Sequence, residues 1–376
     1  MRHVDQIAAA LDGRARTVHS WLVGEPCFGP PAELAEAFVR AARSPSFQYP
    51  PHMGLPETRA VLAARHSEDG NEVTPDQVAV TNGAKGGLLA LLANLLEPGD
   101  ELIHPQPCYP AYPSMASRIG ARPVAVPEDG DGFAGWAEAV ASQIGPRTRA
   151  VVLASPSNPT GTTLSSSAAN ELVDLCRDRG LRLICDEAYV DFRFAPDRET
   201  LPSDLDPART TVIQIRSASK SWALCSWRVG WLVADAPLIA RVARTHASLV
   251  NPAPGTAQAA LHALSEVPDG YLSSARGSVE HRMTKLCSAL RTAGLTAEQS
   301  EGGFYLWLDV ADQIEAAGVS DAVRWCVDLA RHHGVGLWPG ADFGGAGYVR
   351  IAVTAPSDTD WDSAVESLKQ ALTAGP

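Results

Sequence analysis

The sequence is short of the features that would settle its class quickly. No two of its seven cysteines stand in a C-x-x-C pair, which argues against a zinc ribbon or a dithiol redox motif and favours free thiols in a reducing cytosol. No apolar run approaches the roughly 18 residues that a membrane helix needs. Residues 1–16 are polar and charged, without the apolar core of a signal peptide. Lys and Arg never cluster, and the formal net charge is −12, whereas a nucleic-acid surface needs concentrated positive charge. No internal repeat or low-complexity block is visible. These absences set the expectation of a cytoplasmic globular protein with no nucleic-acid, membrane or metal partner.

What is present is a chain of 376 residues, 45% apolar and 20% charged, long enough for two domains. Its middle alternates strand-like and helix-like pieces. Leu88, Leu89, Leu91, Leu92, Leu95 and Leu96 form a helical stripe that stops at Pro98-Gly99-Asp100. The β-branched run 149–154 reads as a buried strand, 167–179 as a helix stopped by Gly180, and 181–185, 211–215 and 229–234 as further strands. Strand, helix, strand repeated in this way predicts a mainly parallel sheet wrapped by helices. From about Arg282 the order changes to a helix followed by short strands near 304–308, 334–337 and 348–353, which suits a smaller α+β unit.

In open α/β sheets, ligands sit at the carboxyl ends of the strands. Three strand ends here carry unusual polar residues: Asn158 in Ser157-Asn158-Pro159-Thr160-Gly161, Asp186 in Cys185-Asp186-Glu187-Ala188-Tyr189, and Lys220 in Ser217-Ala218-Ser219-Lys220. A fourth edge is Thr81-Asn82-Gly83-Ala84-Lys85, which opens the leucine-striped helix. Each has an ordinary reading on its own. Asn-Pro and Thr-Gly form turns anywhere, an isolated Asp commonly caps a turn, a lysine after serine is usually solvated, and any helix start attracts anions weakly. Arg350, in Tyr348-Val349-Arg350-Ile351, is harder to dismiss. A guanidinium on an apolar strand needs a partner, and a substrate carboxylate is a fitting one.

Taken in order, these segments resemble the fold-type I, class I/II aminotransferases, which depend on pyridoxal 5′-phosphate. SASKSWALCSWRVGW is similar to the family's Schiff-base segment, with Ser226 where glycine is usual. Gly24-Glu25-Pro26, Tyr49 with the following Gly54-Leu55-Pro56-Glu57-Thr58-Arg59, Pro107-Cys108-Tyr109-Pro110-Ala111-Tyr112, and Trp338-Pro339-Gly340-Ala341-Asp342-Phe343-Gly344 extend the resemblance over nearly the full chain. It departs from the family at Cys108 and at Tyr109, which stands for the commoner tryptophan. By this resemblance Lys220 is the Schiff-base anchor and the proton carrier, Asp186 pairs with the pyridine nitrogen, and Tyr189 and Asn158 bind the ring hydroxyl. Gly83, Ala84, Lys85, Ser217, Ser219 and Arg228 hold the phosphate, Tyr109 stacks on the ring, and Gly24, Asn158 and Arg350 contact the substrate. Tyr49 reaches the phosphate of a neighbouring subunit, which implies a homodimer with shared sites.

The resemblance further implies a large cofactor-binding domain over 31–280 and a small domain made of 1–30 and 281–376. The reaction implied is a ping-pong exchange of an amino group between an L-amino acid and a 2-oxo acid. The same residues also suit elimination, replacement, cyclisation or oxidation of an amino acid, because fold alone does not fix chemistry.

Overall fold

A computed structural model describes residues 2–12, 18–44, 48–68, 72–128, 133–194, 211–357 and 359–375. Seven strands, β1 (Val78–Thr81), β2 (Glu101–Gln106), β3 (Arg122–Pro127), β4 (Thr148–Ala154), β5 (Arg182–Asp186), β6 (Val212–Ser217) and β7 (Gly230–Val233), build one sheet in the order β1-β7-β6-β5-β4-β2-β3. The pairs β2/β3, β2/β4, β4/β5 and β5/β6 are parallel. β7 runs antiparallel to both β6 and β1. Residues 218–229 between β6 and β7 hold only a one-turn helix (Ala218–Ser221) and a 3-10 turn. Without a helix long enough to cross over, the chain returns beside β6 in the opposite direction.

Side chains of successive strand residues point to opposite faces, and both faces are covered. Ile184, Ile213, Ile215 and Leu232 join the helix residues Leu88, Leu91 and Leu92 on one side. Val151, Leu153, Leu183, Cys185 and Val212 join Ala168, Leu172 and Val173 on the other. This explains why the strands read as continuous apolar runs: each lies in the middle of a three-layer sandwich. Helix starts follow local chemistry. The helix Ser166–Asp178 is capped by Ser165, whose hydroxyl accepts from Ala168 N at 3.2 Å.

A second core gathers residues from both ends of the chain, from Ile7, Leu11 and Trp21 to Trp361, Leu368 and Leu372. It includes the antiparallel strands β8 (Tyr305–Asp309), β9 (Trp338–Pro339) and β10 (Tyr348–Ala352), in the order β9-β10-β8. The long helix Gly270–Thr292 runs unbroken across residue 280. Residues 2–12 form a helix that buries Ile7 and Leu11 here. Residues 18–25 are extended and stitched in by backbone bonds, Trp21 N to Gly336 O and Ala352 N to Trp21 O, both 2.9 Å. Among the described residues no helix is long and apolar enough to cross a membrane.

At the edge of the sheet, Gly230 on β7 lies against the turn that opens the helix Gly83–Leu95. A Cβ there would come within 2.6 Å of Ala84 N and 2.7 Å of Arg216 O. Because backbone atoms cannot swing aside as a side chain can, Gly230→Ala should cost about 1–3 kcal/mol. The check is the urea midpoint, which should fall.

Candidate active site

The carboxyl edge of the sheet and the second core enclose a cavity of about 420 Å3. Lys220, Asp186, Asn158, Tyr189, Ser217, Ser219, Ala84, Lys85, Tyr109, Arg228, Gly24 and Arg350 all line it. Residues separated by more than 300 positions thus meet at one place because β4, β5 and β6 end side by side while β10 faces them.

One end of the cavity is built to hold an anion. Ser217 and Ser219 flank the turn after β6, with Ser219 N donating to Ser217 Oγ at 3.2 Å. Arg228, whose φ of 56° lies in the left-handed region, donates to Cys225 O at 2.9 Å and forms no ion pair among the described residues. Gly83 does not line the cavity but backs it, since a Cβ there would come within 2.5 Å of Arg228 Nη2. Its φ of +69° also favours glycine. The N-terminus of the helix Gly83–Leu95 lies beside these groups, with Ala84 and Lys85 in its first turn. Ser226 faces solvent and does not displace Arg228 from the wall.

Deeper in, Asp186 is buried, accepting from Tyr112 Oη at 3.0 Å and from Ala188 N at 3.1 Å. Burial pushes its carboxyl up to about 6, against the pull of those two hydrogen bonds. No cation forms an ion pair with it among the described residues. Tyr109 presents its ring to the cavity, with Lys85 Nζ 5.5 Å from the ring centroid. Cys108 beneath it is a packing group: its thiol lies 3.3 Å from His104 Nδ1 and is pushed up to about 12 by burial.

The far wall belongs to Arg350, which is 2% exposed. Its guanidinium donates to Asn158 Oδ1 at 3.0 Å and to Leu22 O at 2.6 Å, and its Nε has no hydrogen-bond partner. Aromatic rings surround it, Tyr305 at 3.9 Å, Trp338 at 4.4 Å and Phe343 at 4.8 Å from Cζ to centroid. Lys220 Nζ, 5.8 Å from the Tyr189 centroid, donates to Gly24 O at 2.5 Å. Tyr189 Oη and Tyr305 Oη are 2.7 Å apart.

Sequence reasoning missed Tyr305, and it gave no role to Tyr112 or Trp338. Tyr112 had a signal, standing three positions after Tyr109 at the start of the helix Ala111–Ile119. Tyr305 had none, because only pairing of β8 with β10 brings it to Arg350. Tyr49 is not gathered. It is 81% exposed and does not line the cavity of its own chain. Among the described residues no cluster of His, Cys, Asp and Glu could hold a metal ion.

A buried carboxylate with no cation, an amine in the same cavity, an aromatic face and a cradle for a dianion are the groups pyridoxal 5′-phosphate requires. With this sheet they define the fold-type I pyridoxal-phosphate enzymes. The chain belongs to the family described as aminotransferase class I and II, whose model matches residues 16–368. It is 31% identical to the aspartate/prephenate aminotransferase of Thermus thermophilus, over 97% of this chain and 94% of that one. It is 33% identical to the arginine–pyruvate transaminase of Pseudomonas aeruginosa, over 88% and 84%. Among solved structures, the Thermus thermophilus aspartate aminotransferase with maleate superposes with a TM-score of 0.90 at 29% identity, covering 98% of this chain and 96% of that one. The protein is a pyridoxal-phosphate-dependent aminotransferase acting between amino acids and 2-oxo acids.

The buried Asp186 makes stability depend on pH. Its folded pKa, about 6, lies above the ordinary 3.8, so the folded protein binds this proton more tightly than the unfolded chain. Its contribution is greatest at low pH and declines as pH rises from about 4 through about 6. Cofactor-free Asp186→Asn protein should therefore exceed the wild type by about 1–3 kcal/mol at pH 8. The two should converge near pH 4 in urea titrations.

Proposed function

We propose that Lys220 anchors the cofactor and moves the proton, that Asp186 holds the pyridine nitrogen protonated, and that Arg350 receives the substrate α-carboxylate. The observation that carries this reading is the cavity itself, in which a buried carboxylate, an amine and a buried guanidinium with an unused Nε converge. Pyridoxal phosphate, when bound, supplies a conjugated electron sink for the bonds at the substrate Cα. The phosphate falls to Ser217, Ser219, Arg228 and the amides of Gly83, Ala84 and Lys85, and the ring face to Tyr109. Tyr189 and Asn158 address the ring oxygen.

The protein's own groups then act in sequence. Arg350 orients the substrate through its carboxylate, while the hydrogen bond to Asn158 and the contact with Leu22 O hold the guanidinium still. Lys220 Nζ takes the Cα proton and returns it, as general base and then general acid. The rings of Tyr305, Trp338 and Phe343 keep water from the guanidinium and strengthen its hold on the carboxylate. Gly24 lets the loop 18–25 approach closely, and its carbonyl positions the Lys220 amine.

The same reading divides the chain into a large domain over 31–280 and a small one made of 1–30 and 281–376. The separate core that joins both chain ends supports this division. It also includes a homodimer in which Tyr49 serves the partner's phosphate site, supported by that ring's exposure. A cytoplasmic location agrees with the seven free cysteines.

Borohydride reduction followed by mass spectrometry tests the anchor: the wild type should carry one cofactor adduct on the peptide containing Lys220, and Lys220→Ala none. Arg350→Ala should raise KM for both the amino acid and the 2-oxo acid about 10- to 100-fold, the worth of charge-assisted hydrogen bonds. An unchanged KM would remove Arg350 from the carboxylate role.

A further inference from the structure

Tyr305 belongs to none of the motifs that point to the site, yet its hydroxyl lies among several groups assigned to it. It is 4% exposed, and its oxygen is 2.7 Å from Tyr189 Oη. Its ring stacks 3.9 Å from Arg350 Cζ. A Cβ added to Gly24, whose carbonyl accepts from Lys220, would overlap the Tyr305 hydroxyl and ring. We propose that Tyr305 is a positioning residue that couples carboxylate binding at Arg350 to the hydrogen bond Tyr189 can offer the cofactor's ring oxygen. This rests on the roles assigned above to Tyr189 and Arg350.

The argument is a count of hydrogens. Two hydroxyls at this separation share one hydrogen between their oxygens, so one donates and the other accepts. If Tyr305 donates, the Tyr189 hydrogen is free to point into the cavity, and the chain of two hydroxyls strengthens that outward bond. If Tyr189 donates to Tyr305, it has only lone pairs left to offer.

The choice depends on the charges around the Tyr305 oxygen. Arg350 faces it from β10, Lys220 and Cys225 from the turn after β6, and Tyr189 from beyond β5. Burial alone would raise the Tyr305 phenol, but the charges of Arg350 and Lys220 with the Tyr189 hydrogen bond outweigh burial and lower it. Tyr189, which also faces Arg350 and Tyr109, is held above the ordinary phenol range by burial and then by Tyr305. The more acidic phenol of a neutral pair is the better donor, and the Arg350 guanidinium over the Tyr305 ring favours a hydrogen turned away toward Tyr189. The pair is therefore polarised toward Tyr305 donating and Tyr189 accepting. A carboxylate on Arg350 cancels the largest charge that favours this arrangement. Tyr305 then donates less strongly, and the bond that Tyr189 offers the ring oxygen weakens with it. Substrate binding thus tunes the ring oxygen's partner without any movement of backbone.

The test titrates the visible absorbance band of the cofactor against pH in holoenzymes of the wild type, Tyr189→Phe, Tyr305→Phe and the double variant. Cofactor content and thermal midpoint serve as checks on folding. A hydrogen bond donated to the ring oxygen stabilises its anionic form, so losing it raises the titration midpoint. Tyr189→Phe should raise the midpoint by about one pH unit, and Tyr305→Phe by about half that, in the same direction. The double variant should match Tyr189→Phe, because Tyr305 acts only through Tyr189. Tyr305→Phe should lower kcat about tenfold while KM for the amino acid changes less than about threefold. An unshifted Tyr189→Phe titration would overturn the role assigned to Tyr189, and this coupling with it. A shifted Tyr189→Phe beside an unshifted Tyr305→Phe, or shifts that add in full, would overturn the coupling and leave the site assignments standing.

Discussion

The site depends on keeping charged groups out of water without letting them neutralise one another. Asp186 and Arg350 are both buried, both lack an ion pair among the described residues, and both line one cavity. Each is held by neutral partners: Asp186 by a phenol and a backbone amide, Arg350 by an amide side chain and a carbonyl. Neutral hydrogen bonds fix direction without cancelling charge, so each group keeps most of its capacity for a ligand of opposite sign. Next to Asp186, Glu187 and Arg216 form a buried pair at 2.7 Å. Adjacent residues, Asp186 and Glu187, thus face opposite sides of the strand end. The one facing away is paired, and the one facing the cavity has no ion pair among the described residues.

The sheet exists to bring those groups together. Parallel strands that end in register carry Asn158, Asp186 and Lys220 to one edge, and the reversal at β7 brings Arg228 back to the same edge after a short turn. The second core supplies the opposite wall, and the extended residues 18–25 join the two. Leu22 O accepts from Arg350 and Gly24 O from Lys220, so two carbonyls of one segment hold a residue from each side.

Much of this was legible in the sequence, and the limit has a physical cause. Lys220, Asp186, Asn158 and the Gly83 turn stand where a strand or helix ends, so a local pattern marks both the element and the polar residue. The reversal of β7 was not visible, because strand direction depends on what fits in the connection and not on the strand's own residues. The helix Arg2–Asp12 also escaped notice. Its two buried residues, Ile7 and Leu11, are four apart with only alanines between them, and the distant core they meet gives them meaning. Tyr305 is the same case in the site, an aromatic strand residue like any other until β10 brings Arg350 alongside. Cys108 and Ser226, which depart from the family pattern, are a packing thiol and a solvent-facing hydroxyl.

The alternation in residues 22–25 bears on how such an enzyme changes over generations. Leu22 and Gly24 are constrained, the first by a buried side chain, the second by having no room for any side chain beside its bond to Lys220. Val23 and Glu25 also border the cavity, yet both side chains are exposed and neither holds the scaffold. Drift is therefore blocked at two positions and cheap at the two beside them. Descendants of this chain can acquire new substrate preferences through single exchanges at 23 or 25 while inheriting the reactive machinery intact.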